Sequence, residues 1–369
     1  MIIEYRMDEL MRKCKIGLWG QLGGKNPADG QAIKTIYVLN KIKDRYGLKN
    51  VKHVNTNQWK KRPLRVLLKT TNLFFRSNVI IIMPANNGLR VISKLYNFLL
   101  LFKKAKIVYF VIGGFLPKFV DENPRYKKIF IKYEMLFVET KNMKSSLIER
   151  GISNVSLIPN FKIIKRINPE LLKTFEQGST IKLCTFSRVT ASKGIIEAID
   201  AVVSMNDDKN PRYFLDIYGM IDIEFESEFN KKIAPYSSFV KYKGIAPFNE
   251  ATQILSDYFA LLFPTYYHGE GFAGCLIDAF YSGLPIVATD WLYNSEIVKD
   301  GYNGYLCTPR SAKSIRDCII KLESNLPHYM TIKMNNYNES FKYDADIALK
   351  PLFETIENGS INRKKGQGA

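Results

Sequence analysis

Two carboxylates separated by seven residues give the strongest chemical signal in the sequence. Glu270 precedes a Gly-rich turn at residues 271–274, and Asp278 falls about two helical turns further on, in an apolar run that predicts a helix. The N-terminal amides of such a helix lack partners within it and can bind polar ligand oxygens. Because each carboxylate oxygen accepts hydrogen bonds from hydroxyls, the pair suits a polyhydroxylated ligand.

Two cations bracket a loop about 80 residues upstream of this pair. Residues 181–186 predict a short buried strand, Arg188 and Lys193 follow it, and the apolar spacing of residues 195–202 predicts a helix. Strand, loop and helix in this order form the phosphate-binding corner of a doubly wound sheet. Taken alone, the two cations also fit a solvated surface loop. Their position upstream of the acidic pair favours binding of a diphosphate, which Arg can contact bidentately.

The segment 268–306 resembles the retaining glycosyltransferases of the two-domain GT-B type, in particular the large fourth family, glycosyl transferases group 1. The usual pattern in that family is Glu, seven residues, Glu, within EGFG…EA…G.P…E…dG.nG. This chain has Asp278 at the second acidic position. Ala273 and Gly274 stand where a Gly and a small apolar residue are usual.

The resemblance implies a role for each of these residues. Glu270 and the loop after it would hold the donor sugar, and Asp278, whose reach is one methylene shorter than that of Glu, would hold the nucleotide ribose. Arg188 and Lys193 would bind the donor diphosphate. We therefore predict Glu270, Arg188 and Lys193 as the catalytic residues. The predicted donor-binding residues are Gly23, Gly24, Tyr218, Gly219, Gly244, Ile245, His268, Gly271, Phe272, Ala273, Gly274 and Asp278.

Three of these places lie outside the acidic motif. Gly23 and Gly24 follow the first predicted strand, where backbone amides could approach a donor phosphate or an acceptor hydroxyl, although a simple tight turn is the alternative. The turn lacks the dinucleotide fingerprint, which argues against a nicotinamide site. Residues 215–219 and 243–245 lie where base-contacting loops fall in the family. His268 could touch the sugar or lie on the rim of the site, and no histidine matches the one that many family members use.

Asp344 and Asp346 have the D-x-D spacing of the metal site in the other major glycosyltransferase fold. No hydrophobic strand precedes them and an apolar-periodic helix follows, so we interpret them as carboxylates at a helix N-terminus. With Arg188 and Lys193 available to neutralise the leaving diphosphate, we expect neither a metal nor another cofactor.

The elements that must position these residues form two α/β halves. Buried-strand patterns recur at residues 16–19, 79–83, 107–112, 136–139 and 155–158, and again at 181–186, 213–218, 239–242, 259–263, 285–289 and 304–307. Helical patterns between them predict parallel sheets with helices on both faces. Together with the resemblance, this predicts an α/β GT-B fold, with two doubly wound Rossmann-like domains facing a cleft. The expected boundaries are residues 1–162, with 344–358 crossing back onto that domain, residues 163–343, and a disordered tail at 359–369.

The net charge of +19 is confined to the first half of the chain. Residues 1–160 hold 30 Lys and Arg against 10 Asp and Glu, whereas residues 161–369 hold 24 against 25. Two segments, 64–75 and 89–106, place apolar residues among these cations. That pattern is typical of amphipathic helices on anionic bilayers, although core-packing helices with solvated outer faces are the alternative. We expect residues 62–106 to contact an anionic membrane surface.

Composition also bears on the cellular location. The five cysteines form no C-x-x-C, and their odd number favours thiols in a reducing compartment. The N-terminus lacks a signal-peptide layout, and no apolar run approaches the ~18–20 residues of a spanning helix. We expect a cytoplasmic protein, peripheral on the inner face of a bacterial plasma membrane.

The resemblance and the charge together predict one function. A sugar would pass from a nucleoside diphosphate sugar, with a UDP-sugar favoured, to a sugar hydroxyl of a lipid-linked, oligosaccharide or polysaccharide acceptor. The transfer would proceed with retention, in the biosynthesis of a cell-surface polysaccharide such as capsule or lipopolysaccharide. Three alternatives stay open. A nucleotide-sugar epimerase would need more proton-transfer groups, and a transferase with a soluble acceptor would leave the basic half unexplained. A nucleic-acid-binding protein would leave the carboxylates unexplained, so we expect no nucleic acid partner.

Overall fold

The computed structural model describes residues 14–24, 30–57, 59–207 and 209–365. The chain divides into two compact units. The first unit contains the described residues up to Lys162 together with those from Ala345 onward, and the second unit is Ile163–Asp344.

In its described residues, the first unit contains a six-stranded parallel sheet with the order β2-β1-β3-β4-β5-β6. Its strands are β1 (Ile16–Gly20), β2 (Val51–Asn55), β3 (Val79–Met83), β4 (Lys106–Phe110), β5 (Met135–Val138) and β6 (Val155–Leu157). Its helices are α1 (Gly30–Tyr46), α2 (Pro63–Arg76), α3 (Asn86–Leu99), α4 (Leu116–Glu122), α5 (Lys127–Phe130) and α6 (Lys141–Glu149). Strands β1 and β3 are buried along their whole length, as expected for parallel strands covered on both faces.

The second unit contains a six-stranded parallel sheet with the order β12-β11-β10-β7-β8-β9. Its strands are β7 (Ile181–Phe186), β8 (Tyr213–Tyr218), β9 (Val240–Gly244), β10 (Ala260–Phe263), β11 (Ile286–Thr289) and β12 (Gly304–Cys307). Its helices are α7 (Ile195–Val203), α8 (Glu226–Ile233), α9 (Ala251–Leu255), α10 (Gly274–Tyr281), α11 (Asn294–Ile297), α12 (Ala312–Glu323) and α13 (Leu326–Ser340). The strand order reverses between β7 and β10, and this reversal is the topological switch point of a Rossmann-like sheet.

The C-terminal segment packs on the first unit. It forms α14 (Ala345–Ala348) and α15 (Lys350–Lys365). Leu349 between these helices, together with Leu352, Phe353 and Ile356 of α15, belongs to the core of that unit. Arg45 of α1 pairs with Glu357 at 2.8 Å.

The structure differs from two expectations about the first unit. Residues 359–365 continue helix α15, whereas the sequence predicts a disordered tail from residue 359, and residues 366–369 lie outside the described residues. A single glycine costs a helix only about 1 kcal/mol, so Gly359 does not have to end it. Strand β2 was absent from the predicted set because only Val51 and Val54 of its five residues are buried, and this pattern is too weak to predict a buried strand.

A buried lysine makes the stability of the second unit depend on pH. Burial, with a smaller effect of Lys173, lowers the pKa of Lys333 on α13 from its ordinary 10.5 to about 8. Between pH 8 and pH 10.5 the unfolded chain therefore binds more protons than the folded chain. The buried charge lowers the free energy of unfolding by its full amount below pH 8, and this loss of stability disappears as the pH rises towards 10.5.

We expect Lys333→Met to raise the free energy of unfolding at pH 7 by roughly 3–3.5 kcal/mol, because each pKa unit corresponds to about 1.4 kcal/mol. The gain should shrink as the pH approaches 10.5. Urea denaturation at pH 7 and near pH 10.5 measures the gain in stability and its decrease with pH. Lys313→Met, at an exposed position of α12, is the control. Equal stability of Lys333→Met and the wild type at pH 7 would contradict the expectation.

Candidate active site

The predicted catalytic residues lie in the two loops at the switch point of the second unit. Strands β7 and β10 are adjacent and parallel, so their carboxyl ends lie at the same edge of the sheet. Arg188 and Lys193 lie in the loop after β7, and Glu270 lies in the loop after β10. Ligands of open α/β sheets bind at such a position, outside the carboxyl ends of the strands.

A glycine allows these two loops to approach each other closely. Gly194 has a φ of 70°, and a Cβ atom at this position would lie 2.1 Å from the carbonyl oxygen of Pro264, which follows β10. The backbone amide of Tyr266 donates to the carbonyl of Ser192 at 2.9 Å, which joins the two loops directly. Only glycine fits the backbone at position 194, and the result is a small separation between the cationic and the acidic loop.

Lys193 and Glu270 form a partly buried ion pair. The Nζ atom of Lys193 lies 2.5 Å from Oε2 of Glu270, and their side chains are only 16% and 8% exposed. The hydroxyl of Thr265, which is buried, donates to the same carboxylate oxygen at 2.8 Å. The sequence predicted both charged residues but neither their pairing nor Thr265. A threonine two residues after a strand carries no distinctive signal.

Arg188 is placed differently from Lys193. Its side chain is exposed, and it forms no side-chain hydrogen bond or ion pair with the part of the chain that the structure describes. The site thus offers one exposed guanidinium and one ammonium that is paired with a carboxylate. Both charges lie beside one loop, which suits an anion with two phosphate groups.

Helix α10 begins four residues after Glu270. Ala273 is its N-cap residue and makes no side-chain capping hydrogen bond, so the first turn receives no capping bond from it. The ring of Phe272 is buried and packs edge-on against Tyr343 at 5.0 Å. Asp278 is also buried, at 2% exposure, one turn into the helix. Gly271 and Gly274 flank this turn, as the motif predicts.

The loop after β8 is held against the loop after β7. Gly219 has a φ of 137°, and a Cβ atom there would lie 1.8 Å from the carbonyl oxygen of Ser187. The hydroxyls of Tyr218 and Tyr258 are 2.9 Å apart, and Tyr258 donates to Asp216 at 2.7 Å. Burial raises the pKa of Tyr258 well above its ordinary value, so this hydroxyl keeps its proton as a donor.

The remaining predicted contacts of the second unit lie at the same edge of the sheet. Gly244 ends β9 and accepts a hydrogen bond from the amide of Gly219 at 2.9 Å, and Ile245 next to it is exposed. His268 is exposed and its ring lies 5.2 Å from that of Trp291, in the loop after β11. The indole of Trp291 donates to the carbonyl of Tyr267 at 3.0 Å.

Gly23 and Gly24 belong to the first unit. They follow β1, and the amide group of Asn55 donates to the carbonyl of Gly23 at 3.3 Å. Gly23 has a φ of 67°, as a tight turn after a strand requires. The rest of the turn, residues 25–29, lies outside the described residues.

In the part of the chain that the structure describes, no group of three or more His, Cys, Asp or Glu side chains could hold a metal ion. The two carboxylates of the D-x-D spacing pair with separate cations. Asp344 lies 3.5 Å from Arg166, and Asp346 lies 2.6 Å from Lys41.

The second unit is similar to a known protein family. Residues 169–339 match the family model described as “Glycosyl transferases group 1”. These residues are therefore similar to the group 1 glycosyltransferases. The match covers most of the second unit, including both the cationic loop and the acidic motif. The match agrees with the predicted family over this part of the chain.

Individual proteins show the same relationship. An uncharacterized glycosyltransferase of Methanocaldococcus jannaschii, MJ1069, is 26% identical over 282 residues, which is 70% of each chain. The GtfA subunit of a UDP-N-acetylglucosamine–peptide N-acetylglucosaminyltransferase from Streptococcus pneumoniae is 30% identical over 192 residues. That match covers 51% of this chain and 36% of the relative, so the chain spans about a third of its length.

Among solved structures, Anabaena Alr3699/HepE in complex with UDP-glucose superposes with a TM-score of 0.72. The superposition covers 93% of this chain and 99% of that chain, at 17% identity. The predicted α/β GT-B fold with two Rossmann-like domains is therefore confirmed.

Proposed function

We propose that the protein transfers a hexose-type sugar from a nucleoside diphosphate sugar to a hydroxyl of an acceptor sugar. The observation that carries this proposal is the ion pair between Lys193 and Glu270 at the switch point of the second unit, whose residues 169–339 match the group 1 glycosyltransferases. Arg188 lies in the same loop as Lys193. In the proposed complex the two cations bind the diphosphate and Glu270 binds hydroxyls of the donor sugar. Asp278 holds the ribose, and residues 218–219 and 244–245 hold the base.

Binding of the donor must separate the ion pair between Lys193 and Glu270. A diphosphate that takes a contact from Lys193 leaves the Glu270 carboxylate to accept hydrogen bonds from sugar hydroxyls, with Thr265 still holding one of its oxygens. Each buried charge therefore has a new partner in the complex, which avoids the cost of an unpaired buried ion.

The proposed reaction retains the anomeric configuration by front-side displacement. The acceptor oxygen bonds to the anomeric carbon on the face from which the phosphate oxygen departs, and the hydroxyl proton passes to that phosphate. Arg188 and Lys193 stabilise the charge that develops on the leaving diphosphate, and the bound acceptor is held in position to attack. Neither a metal nor another cofactor is required in this proposal, so EDTA should leave turnover unchanged.

The proposed donor base is supported by similar proteins, and the proposed acceptor is supported by the charge of the chain. A UDP-sugar is favoured because the names of GtfA and the HepE complex both include a uridine diphosphate sugar. The acceptor is proposed to be a lipid-linked, oligosaccharide or polysaccharide chain in the synthesis of capsule or lipopolysaccharide, taken up by the first domain. The excess charge of residues 1–160 supports an anionic partner for that half, which fits a cytoplasmic enzyme at the inner face of a plasma membrane. No helix among the described residues is long and apolar enough to cross a bilayer.

A thermal-shift panel of UDP-, GDP-, dTDP- and ADP-sugars tests the donor. We expect a UDP-sugar to raise the melting temperature most, since a ligand at a hundredfold excess over Kd stabilises a protein by about 2.7 kcal/mol. The anomeric coupling constant of the product, measured by NMR, then reports retention. The absence of a shift with all four donors would contradict the proposal, whereas a larger shift with another base would correct only the choice of donor.

A further inference from the structure

Helix α2 exposes an apolar stripe along its outer face. Leu64, Leu68 and Phe75 are spaced by whole helical turns, and Leu67 lies beside them. All four side chains are between 45% and 74% exposed. The inner face of the helix consists of other residues, because Thr70, Leu73 and Phe74 are its buried side chains. The stripe therefore does not pack against the core of the first unit.

Helix α3 and the turn after it continue the same pattern. Val91, Phe98 and Phe102 recur at helical spacing, and Leu101 lies in the turn after the helix. These four side chains are between 52% and 77% exposed, and the rings of Phe98 and Phe102 contact each other at 5.2 Å. The opposite face of α3 is buried, as Leu89, Ile92, Tyr96 and Leu99 show.

The two stripes lie on neighbouring helices. The ring of Phe74 on α2 packs against that of Tyr96 on α3 at 5.4 Å. Lys103, in the turn after α3, donates to the carbonyls of Phe75 and Ser77 at 2.7 Å each and thereby fixes the C-terminal end of α2. The described residues contain 24 exposed large apolar side chains, and eight of them lie within residues 64–102. An apolar surface so concentrated marks a site of interaction.

The charge around these helices has one sign. The sequence contains no Asp or Glu from residue 45 to residue 120, and this stretch holds 15 Lys and Arg. Arg65 and Lys69 on α2 and Arg90 and Lys94 on α3 are exposed beside the apolar stripes. Lys103 and Lys106 contribute less to this charge, because Lys103 is bound to helix carbonyls and Lys106 pairs with Glu134 at 2.6 Å.

We infer that the outer faces of α2 and α3 form one docking face for an anionic lipid bilayer. The apolar stripes enter the boundary between headgroups and acyl chains, and the flanking cations bind the anionic headgroups. A nucleic acid would match the cations but would leave eight large apolar side chains in water, and a second copy of the protein would bring two strongly cationic faces together. The inference concerns a surface of the first unit and holds whether or not sugar transfer occurs.

Vesicle flotation of the full chain tests the inference. We expect binding to phosphatidylcholine vesicles that contain phosphatidylglycerol to exceed binding to phosphatidylcholine alone by roughly tenfold or more. Part of this binding should survive about 0.5 M salt, where charges are screened over a few Å and apolar insertion remains. Leu64→Ser with Leu68→Ser and Phe102→Ser should remove the salt-resistant part. Arg65→Glu with Lys69→Glu should remove the preference for anionic vesicles.

Matched variants on the second unit provide the controls. Ile223→Ser with Ile320→Ser changes exposed apolar residues, and Lys231→Glu with Lys313→Glu changes exposed cations. Neither pair should alter flotation. Melting temperature and UDP affinity should match the wild type in every variant, so a loss of vesicle binding cannot be attributed to unfolding. The inference would be overturned by equal binding to both vesicle types or by no binding at all. It would also be overturned if the protein forms a stable dimer that the serine variants dissociate while flotation stays unchanged.

Discussion

Replacement of Arg188 or Lys193 by alanine is expected to lower kcat by roughly 10²–10³-fold, which corresponds to about 2–4 kcal/mol of lost transition-state stabilisation. In the proposed complex, both cations bind the diphosphate on which charge develops as it leaves. The exposed guanidinium of Arg188 should be lost without effect on folding, because it has no side-chain partner in the described residues. Lys193→Ala should in addition lower the melting temperature, since it leaves the buried carboxylate of Glu270 without its cation.

Steady-state kinetics with a UDP-sugar and circular dichroism of each variant measure these two effects. Lys182→Ala is the matched control, because Lys182 is an exposed cation on β7 outside the proposed site. Wild-type turnover in the double variant Arg188→Ala/Lys193→Ala would remove both residues from the mechanism.

Glu270→Gln is expected to reduce kcat far more than Asp278→Asn, on the order of 10² or more. The carboxylate of Glu270 is proposed to position the sugar that carries the reacting carbon, whereas Asp278 is proposed only to anchor the ribose. Asp278→Asn should therefore act mainly on the KM for the donor. The neutral amide introduced by Glu270→Gln also cannot form an ion pair with Lys193, so this variant should change the affinity for UDP itself.

Separate kcat and KM values for the two variants, with melting curves as the control for folding, distinguish these roles. A larger loss of kcat in Asp278→Asn than in Glu270→Gln would reverse the assignment.

The sequence predicted the fold well because the parallel strands are continuous apolar runs. Strands β3, β7, β8 and β12 have the bounds that the hydrophobic pattern predicts, since buried strands leave a strong signal. Strand β2 lies at the edge of its sheet and exposes three of its five residues, so the same signal is weak there. Helix α15 passes through Gly359, where composition favoured disorder.

The sequence predicted the site less completely than the fold. The residue types of Arg188, Lys193 and Glu270 and the family pattern sufficed to select them. The contact between Lys193 and Glu270 depends on the order of strands β7 and β10 in the sheet, because the two residues lie 77 positions apart in the chain. Thr265 acquires its role only from that arrangement. The two amphipathic segments were predicted from charge and apolar content, but which faces stay exposed depends on the packing of α2 and α3.

Isothermal titration calorimetry with UDP and with uridine tests the central claim, that the second unit binds a nucleoside diphosphate through the loop after β7. The wild type should bind UDP at least about 10²-fold more tightly than uridine, since charge-assisted contacts to phosphate contribute most of the affinity. This ratio should fall by roughly tenfold or more in Arg188→Ala, with the affinity for uridine unchanged. Equal affinities of the wild type for UDP and uridine, or an unchanged ratio in Arg188→Ala, would contradict the account.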